Sequence, residues 1–177
     1  PEMRLIGRAV TVDIEVGEPG DFSSEDFRVG AMLDAAQKGD VLAISAKGAR
    51  ASIWGGMASL AAKVKGIAGL VVDGSIRDVD EINDCGFSVF SRYVIPTTGR
   101  TRLNVKSIGS EISLDGVIVN CGDLIIGDST GMVVVPYDQA LKVLEKATLY
   151  QTDDIQAASE IRRGVSFTEV MNQFKRI

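Results

Sequence analysis

The chain has 177 residues, 45% hydrophobic and 24% charged, with a net charge of −5. That fits one domain able to bury about 70% of its unfolded surface, and it argues against a nucleic-acid-binding surface, as does the lack of any Lys/Arg run. No apolar run reaches the ~18 residues of a membrane helix. Pro1-Glu2-Met3-Arg4 does not read as a signal peptide, and Cys85 and Cys121 are lone thiols without metal-type spacing, which points to a reducing cytoplasm. The chain contains no histidine. This excludes Ser-His-Asp and Cys-His catalysis and His-ligated zinc, and leaves carboxylates, Arg, Lys, Tyr, backbone amides and oxygen-ligated ions of the Mg or Mn type.

In chain order, the β-branched stretch Leu5 to Ile14 predicts a strand and Glu15 to Ser23 a loop. Ser24 followed by Phe27, Val29, Met32, Leu33 and Ala36 has helical spacing, closed by Gly39. Val41 to Ser45 is a short buried strand, and Lys47 to Ser52 a small-residue connection. A turn from Ser52 to Gly56 then opens a helix from Met57 to Val64, an apolar strand follows from Ala68 to Val72, and Asp73 to Asp78 reads as the next turn. Val79 to Asp84 predicts one or two helical turns stopped by Gly86, Phe87 to Phe90 a strand, and Ile95 to Gly99 an irregular segment. Short strands follow from Asn104 onward, with Asp115-Gly116 as a hairpin turn and Pro136 closing the series. Tyr137 to Arg163 predicts one long helix or two, Gly164 its stop, and Ser166 to Phe174 a terminal amphipathic segment. The expected architecture is a single α/β domain over 1–177, with the helical segment 138–177 packing on it or on a neighbouring subunit.

The chemistry concentrates in the strand–turn–helix–strand–turn unit from Ser52 to Glu81. Its two turns should meet at the carboxyl edge of a sheet, where ligands of open α/β sheets bind. The helix start at Gly55 offers free N–H groups and a positive dipole end, Arg77 can grip a carboxylate through two parallel bonds, and Asp78 can hold a hard cation. Each part has a plainer reading: Gly55-Gly56 as a tight turn, Arg77-Asp78 as an exposed ion pair worth about 0–1 kcal/mol, and Asp80, Glu81 and Asp84 as a solvated helix face. Asp123 and Asp128 read as turn caps, Asp153-Asp154 as surface, and Cys85 as a small apolar residue. The spacing of Gly56 and Arg77 tips the balance toward a small anionic, metal-assisted site.

Gly56, twenty intervening residues and Arg77-Asp78-Val79-Asp80-Glu81 resemble the signature of the regulator of ribonuclease activity A family, which includes the 4-hydroxy-4-methyl-2-oxoglutarate / 4-carboxy-4-hydroxy-2-oxoadipate aldolases. Gly7 to Val12, Gly39 to Leu42, Gly69 to Gly74, Gly122 to Asp128 and Gly131 to Pro136 carry the same resemblance. It implies a compact α/β fold of the swivelling β/β/α type and a cytoplasmic homotrimer with sites between protomers. It also implies Arg77 as the clamp for a pyruvate carboxylate, amides from Gly55, Gly56, Met57 and Ala58 as substrate contacts, and Asp78 as the ligand of Mg2+ or Mn2+. Aldolase members carry a carboxylate where this chain has Gly56. That leaves Asp78 with less help unless Glu81 or a neighbour's acid compensates, with Asp153 or Asp154 near the place of a partner-subunit acid. Gly56→Asp is therefore expected to raise activity if the missing acid is the limitation.

The implied activity is a metal-dependent lyase on a small 2-oxo acid: retro-aldol release of pyruvate, or decarboxylation of oxaloacetate. A related dehydratase on a sugar-derived acid would use the same clamp and metal. The rival of another class is a non-catalytic regulator that docks on a ribonuclease. Neither reading involves nucleic acid or membrane.

Overall fold

The alternating stretch near the start runs further than its pattern suggests. In the computed structural model, which describes residues 4–174, β1 spans Leu5–Val16. It is followed by α1 (Val29–Ala35), β2 (Val41–Ser45), β3 (Ser52–Trp54), α2 (Gly56–Lys65), β4 (Gly69–Ile76), α3 (Val79–Cys85) and β5 (Val89–Val94). The strands β6 (Leu103–Ile108), β7 (Ile112–Leu114), β8 (Val117–Val119), β9 (Leu124–Asp128) and β10 (Gly131–Val135) come next, and then α4 (Ala140–Arg162) and α5 (Phe167–Phe174). One compact unit extends to Tyr137, and a second, made of α4 and α5 after a short 3-10 turn, begins at Asp138.

Three of these bounds correct the sequence reading. Asp73 to Ile76 is strand, not turn: β4 is buried along its whole length. Gly74 and Ser75 are poor strand formers held there by tertiary contacts. A Cβ on Gly74 would lie 2.8 Å from Ile53 Cδ1, and Ser75 donates its hydroxyl hydrogen to Ala49 O at 2.6 Å. Ser52–Trp54 is likewise a strand, pairing with the end of β4. β5 starts and ends later than expected, at Val89–Val94, following the register of β4. The long C-terminal segment is one helix after its opening turn.

β4 is the spine of the first unit. It runs parallel to β2, pairing Val41 with Gly69 through Ser45 with Asp73, and parallel to β3 and β5. β1 joins this parallel group to antiparallel neighbours: its second half pairs with both β2 and β6, and its first four residues pair with β9, which pairs in turn with β10. Alternation along the strands separates two cores. Val12, Leu42, Ile44, Leu70 and Val72 face Met32 of α1, Ala62 of α2 and Ile82 of α3. Ala9, Val41, Ala43 and Val71 face Ile112 and Leu114 of β7, Val119 of β8 and Ile125 of β9. The sheet is thus covered by helices on one face and by a second β layer on the other. That is a β/β/α arrangement in an α/β fold, as the resemblance implied.

The second β layer is tied down by charge. Asp73 is buried and accepts a hydrogen bond from Arg92 Nε, while Arg92 Nη2 donates to Asp115 Oδ1 at 2.6 Å. Asp73 first and Asp115 second hold the Arg92 guanidinium charged, well above its usual pKa. Asp115 N–H also donates to Asp73 Oδ2 at 3.3 Å, at the β7–β8 turn where Asp115 and Gly116 both take positive φ. That is the primed hairpin turn expected from Asp-Gly. Asp123 and Asp128 act as turn caps, Asp123 Oδ2 accepting the Asn120 N–H and Asp128 Oδ1 the Thr130 N–H, both at 2.8 Å.

Candidate functional site

The carboxyl ends of β3 and β4 lie side by side. Trp54 pairs with Ile76, and Arg77 N–H donates to Trp54 O at 3.0 Å. The start of α2 and the Arg77-Asp78 corner therefore meet at one sheet edge, as the spacing predicted. Asp78 adopts a left-handed backbone, φ 59 and ψ 45, which Asp tolerates better than most residues. This conformation turns the chain sharply from β4 into α3 and brings the Asp78 carboxylate back over Gly55 and Gly56. Gly56 N–H donates to Asp78 Oδ2 at 3.2 Å, and Arg77 Nε approaches the same oxygen at 3.3 Å.

Both glycines are there for room. A Cβ on Gly55 would stand 2.5 Å from Asp78 Oδ2 and 3.2 Å from Arg77 Cγ. A Cβ on Gly56 would stand 1.9 Å from Glu81 Oε2 and 2.8 Å from Glu81 Cβ. The Glu81 carboxylate thus occupies the space that a side chain at position 56 would take. This alters the expectation for Gly56→Asp, whose carboxylate would compete with Glu81 for the same space. Gly56→Asp is expected to lose about 1–3 kcal/mol of stability from the forced displacement, and Glu81→Ala in the same chain should recover most of it. Denaturant unfolding of the two variants checks this; equal midpoints would show that Glu81 does not hold that space.

Arg77, Asp78, Gly55, Met57 and Ala58 line one cavity of about 450 Å3, walled by Phe27, Leu33 and Trp54. As residues of the first helical turn, Met57 and Ala58 carry N–H groups without intrahelical acceptors. A groove of about 720 Å3 runs along β5, but apolar and neutral side chains dominate its lining and it gathers no comparable set of groups. Asp153 and Asp154 lie on α4 of the C-terminal unit. Two cavity residues were missed by sequence reasoning, Arg28 at the start of α1 and Arg100 in the loop before β6. Neither sits in a recognisable motif.

Among the described residues no three or more Cys, Asp and Glu side chains converge as a metal cage. The donors present suit a lighter hold. Asp78 Oδ2 accepts the Gly56 N–H and stands in ion-pair contact with Arg77 Nε, whereas Oδ1 and the Glu81 carboxylate accept no hydrogen bond among the described residues. One or two carboxylate oxygens completed by water is how Mg2+ is commonly bound, and the oxygen-only chemistry excludes softer metals.

Comparison with known proteins bears on the family and the fold. The chain is 32% identical over 95% of its length to an uncharacterized protein of Methanocaldococcus jannaschii, covering 78% of that protein. It is 36% identical over 85% of its length to a Halalkalibacterium halodurans protein provisionally named 4-hydroxy-4-methyl-2-oxoglutarate aldolase, covering 69% of it. Among solved structures, an uncharacterized Pseudomonas syringae protein superposes with a TM-score of 0.86 at 26% identity, over 96% of this chain and 76% of that one. Streptomyces coelicolor RraAS2, described as an unusual member of the RNase ES inhibitor RraA family, superposes at 0.77 with 28% identity, over 90% and 78%. The sequence profile of the RraA-like family, Aldolase/RraA, matches residues 1–134. By this match and by its fold, the chain belongs to the RraA-like family.

Proposed function

We propose that the chain is a divalent-metal-dependent lyase that cleaves a small 2-oxo acid, by retro-aldol release of pyruvate or by decarboxylation of oxaloacetate. The supporting observation is the shared cavity in which Arg77, Asp78 and the first turn of α2 converge. Arg77 has only Nε engaged with Asp78, which leaves its two terminal nitrogens to grip a substrate carboxylate as a fork. Asp78, through Oδ1, would hold Mg2+ or Mn2+; such an ion, when bound, supplies Lewis-acid polarisation of the 2-oxo group. The N–H groups of Met57 and Ala58, at the positive end of α2, stabilise the negative charge that develops as the carbon–carbon bond breaks. With no histidine in the chain, the base that takes the 4-hydroxyl proton in the retro-aldol direction and returns it to the product carbon is a carboxylate or a water held beside Asp78, Glu81 lying outside the residues that line the cavity.

The test is pyruvate release from oxaloacetate and from 4-hydroxy-4-methyl-2-oxoglutarate, with Mg2+, with Mn2+ and with chelator. Release that chelator abolishes is expected; chelator-resistant release would remove the metal from the proposal. A second reading, a protein-binding regulator, draws on the apolar stripe Met57, Leu60 and Val64 exposed along α2 beside the cavity. No release from either substrate by a folded chain would favour it. The same stripe suits the subunit contact of a homotrimer.

A further inference from the structure

We infer that Ser52 and Ser59, two serines buried on either side of Trp54, are positioning residues: Ser52 sets Arg77, and Ser59 sets Asp78. Both roles rest on the proposed contacts of Arg77 with a carboxylate and of Asp78 with a metal ion. Each serine is 0% exposed. They sit among apolar core residues of the same segment, Ala51, Ile53, Trp54 and Ala62. Alanine at either place would bury no hydroxyl, and at 59 it would favour the helix. Each hydroxyl is instead directed at a backbone carbonyl that holds the corner of the site. Ser52 Oγ donates to Trp54 O at 2.9 Å, and the same carbonyl accepts the Arg77 N–H at 3.0 Å. Ser52 thus fixes the carbonyl from which the Arg77-Asp78 corner hangs.

Ser59 works from the helix side. Its Oγ accepts the Trp54 Nε1–H at 2.8 Å and donates to Gly55 O at 3.1 Å, where its own N–H also donates at 3.0 Å. Gly55 O and Gly56 N–H belong to one planar trans peptide and point in opposite directions. Holding the carbonyl toward Ser59 therefore aims the Gly56 N–H at Asp78 Oδ2, 3.2 Å away. That bond engages Oδ2 and leaves Oδ1 open to an ion. With glycine on both sides, no Cβ restrains rotation of this peptide, so its direction depends on what the carbonyl meets. Bonds linked in series also polarise one another, and the indole N–H and serine hydroxyl strengthen the donor that faces Asp78.

Because the two serines act on different groups, their removal should have separable effects, which a merely structural role would not give. Calorimetry, at a temperature where circular dichroism shows each variant folded, measures Mg2+ alone and then pyruvate at saturating Mg2+. Ser59→Ala is expected to weaken Mg2+ by about tenfold, the low end for groups that orient a metal ligand, and to leave pyruvate within about twofold. Ser52→Ala should do the reverse. Amide exchange gives a readout without metal: the Gly56 N–H should exchange faster in Ser59→Ala and the Arg77 N–H faster in Ser52→Ala. Ser59→Cys and Ser52→Cys keep the size with a weaker donor. They should fall between, and they carry the test if an alanine variant does not fold. Parallel loss of both ligands in each variant, or of neither, would overturn the positioning roles and leave the metal and the clamp standing. An effect confined to one serine would overturn the role of the other. Binding of neither Mg2+ nor pyruvate by the folded wild-type chain would remove the metal, the clamp and both positioning roles together.

Discussion

Arg77→Ala is expected to cut 2-oxo-acid turnover by about 100- to 1000-fold, the range seen when one preorganised charge-stabilising donor is removed from a reaction centre. The fold should hardly notice. The backbone contact that seats residue 77, its N–H to Trp54 O, survives the substitution. The side chain is 39% exposed, and its ion pair with Asp78 is of the surface kind, worth about 0–1 kcal/mol. Arg77→Lys should fall between, since the charge stays but the fork that matches a carboxylate is lost. Steady-state pyruvate release with a thermal melt on the same samples checks both halves. Undiminished turnover in Arg77→Ala would sink the clamp, and a large drop in melting temperature would show that the residue holds the fold instead.

Trp54→Ala should be the most costly single change in stability, about 3–5 kcal/mol for a buried aromatic. Trp54 is 1% exposed and stacks near Phe87, with ring centroids 6.4 Å apart. It also props the site. Its Nε1–H donates to Ser59 Oγ at 2.8 Å, and Ser59 in turn donates to Gly55 O at 3.1 Å, so the indole sets the turn on which the Asp78 carboxylate rests. Trp54→Phe keeps most of the apolar burial and should cost about 1 kcal/mol through the lost hydrogen bond, with Asp78-dependent activity falling more than that figure implies. Urea unfolding beside metal-dependent turnover separates the two effects. A loss below about 1.5 kcal/mol in Trp54→Ala would mean that the surrounding core collapses into the space.

Much of this site was legible because local pattern and tertiary placement agree there. The apolar run Ala68 to Val72 reads as a buried strand, Gly55-Gly56 as a helix start, and their spacing carries Arg77-Asp78 to the same edge. What stayed hidden depends on partners distant in sequence. Asp73-Gly74-Ser75 has turn composition, and pairing with β2, β3 and β5, Arg92 on β5, Ala49 and the close approach of Ile53 make it strand. The Glu81 carboxylate filling the space at Gly56 follows from the left-handed turn at Asp78, which no propensity predicts with confidence for an aspartate. Arg28 and Arg100 are 72 residues apart, and contacts distant in sequence bring their segments together: the pairing of β1 with β6, the Val105 N–H to Asp26 O bond and the packing of Gly99 on Phe27.

The double allegiance of β1 has a consequence for how the chain acquires its structure. Leu5 pairs with Gly127 and Val12 with Ile108, so the strand made first completes its partners only after more than a hundred further residues exist. Until then the stretches of β1 that pair with β6 and β9 stay open, each able to recruit a strand from another copy. Such long-range pairing must overcome the entropy of closing large loops before any contact repays it, which slows folding. The parallel group built on β2 and β4 is closer to local and should form first, with capture of β9 by β1 as the late step that seals the sheet.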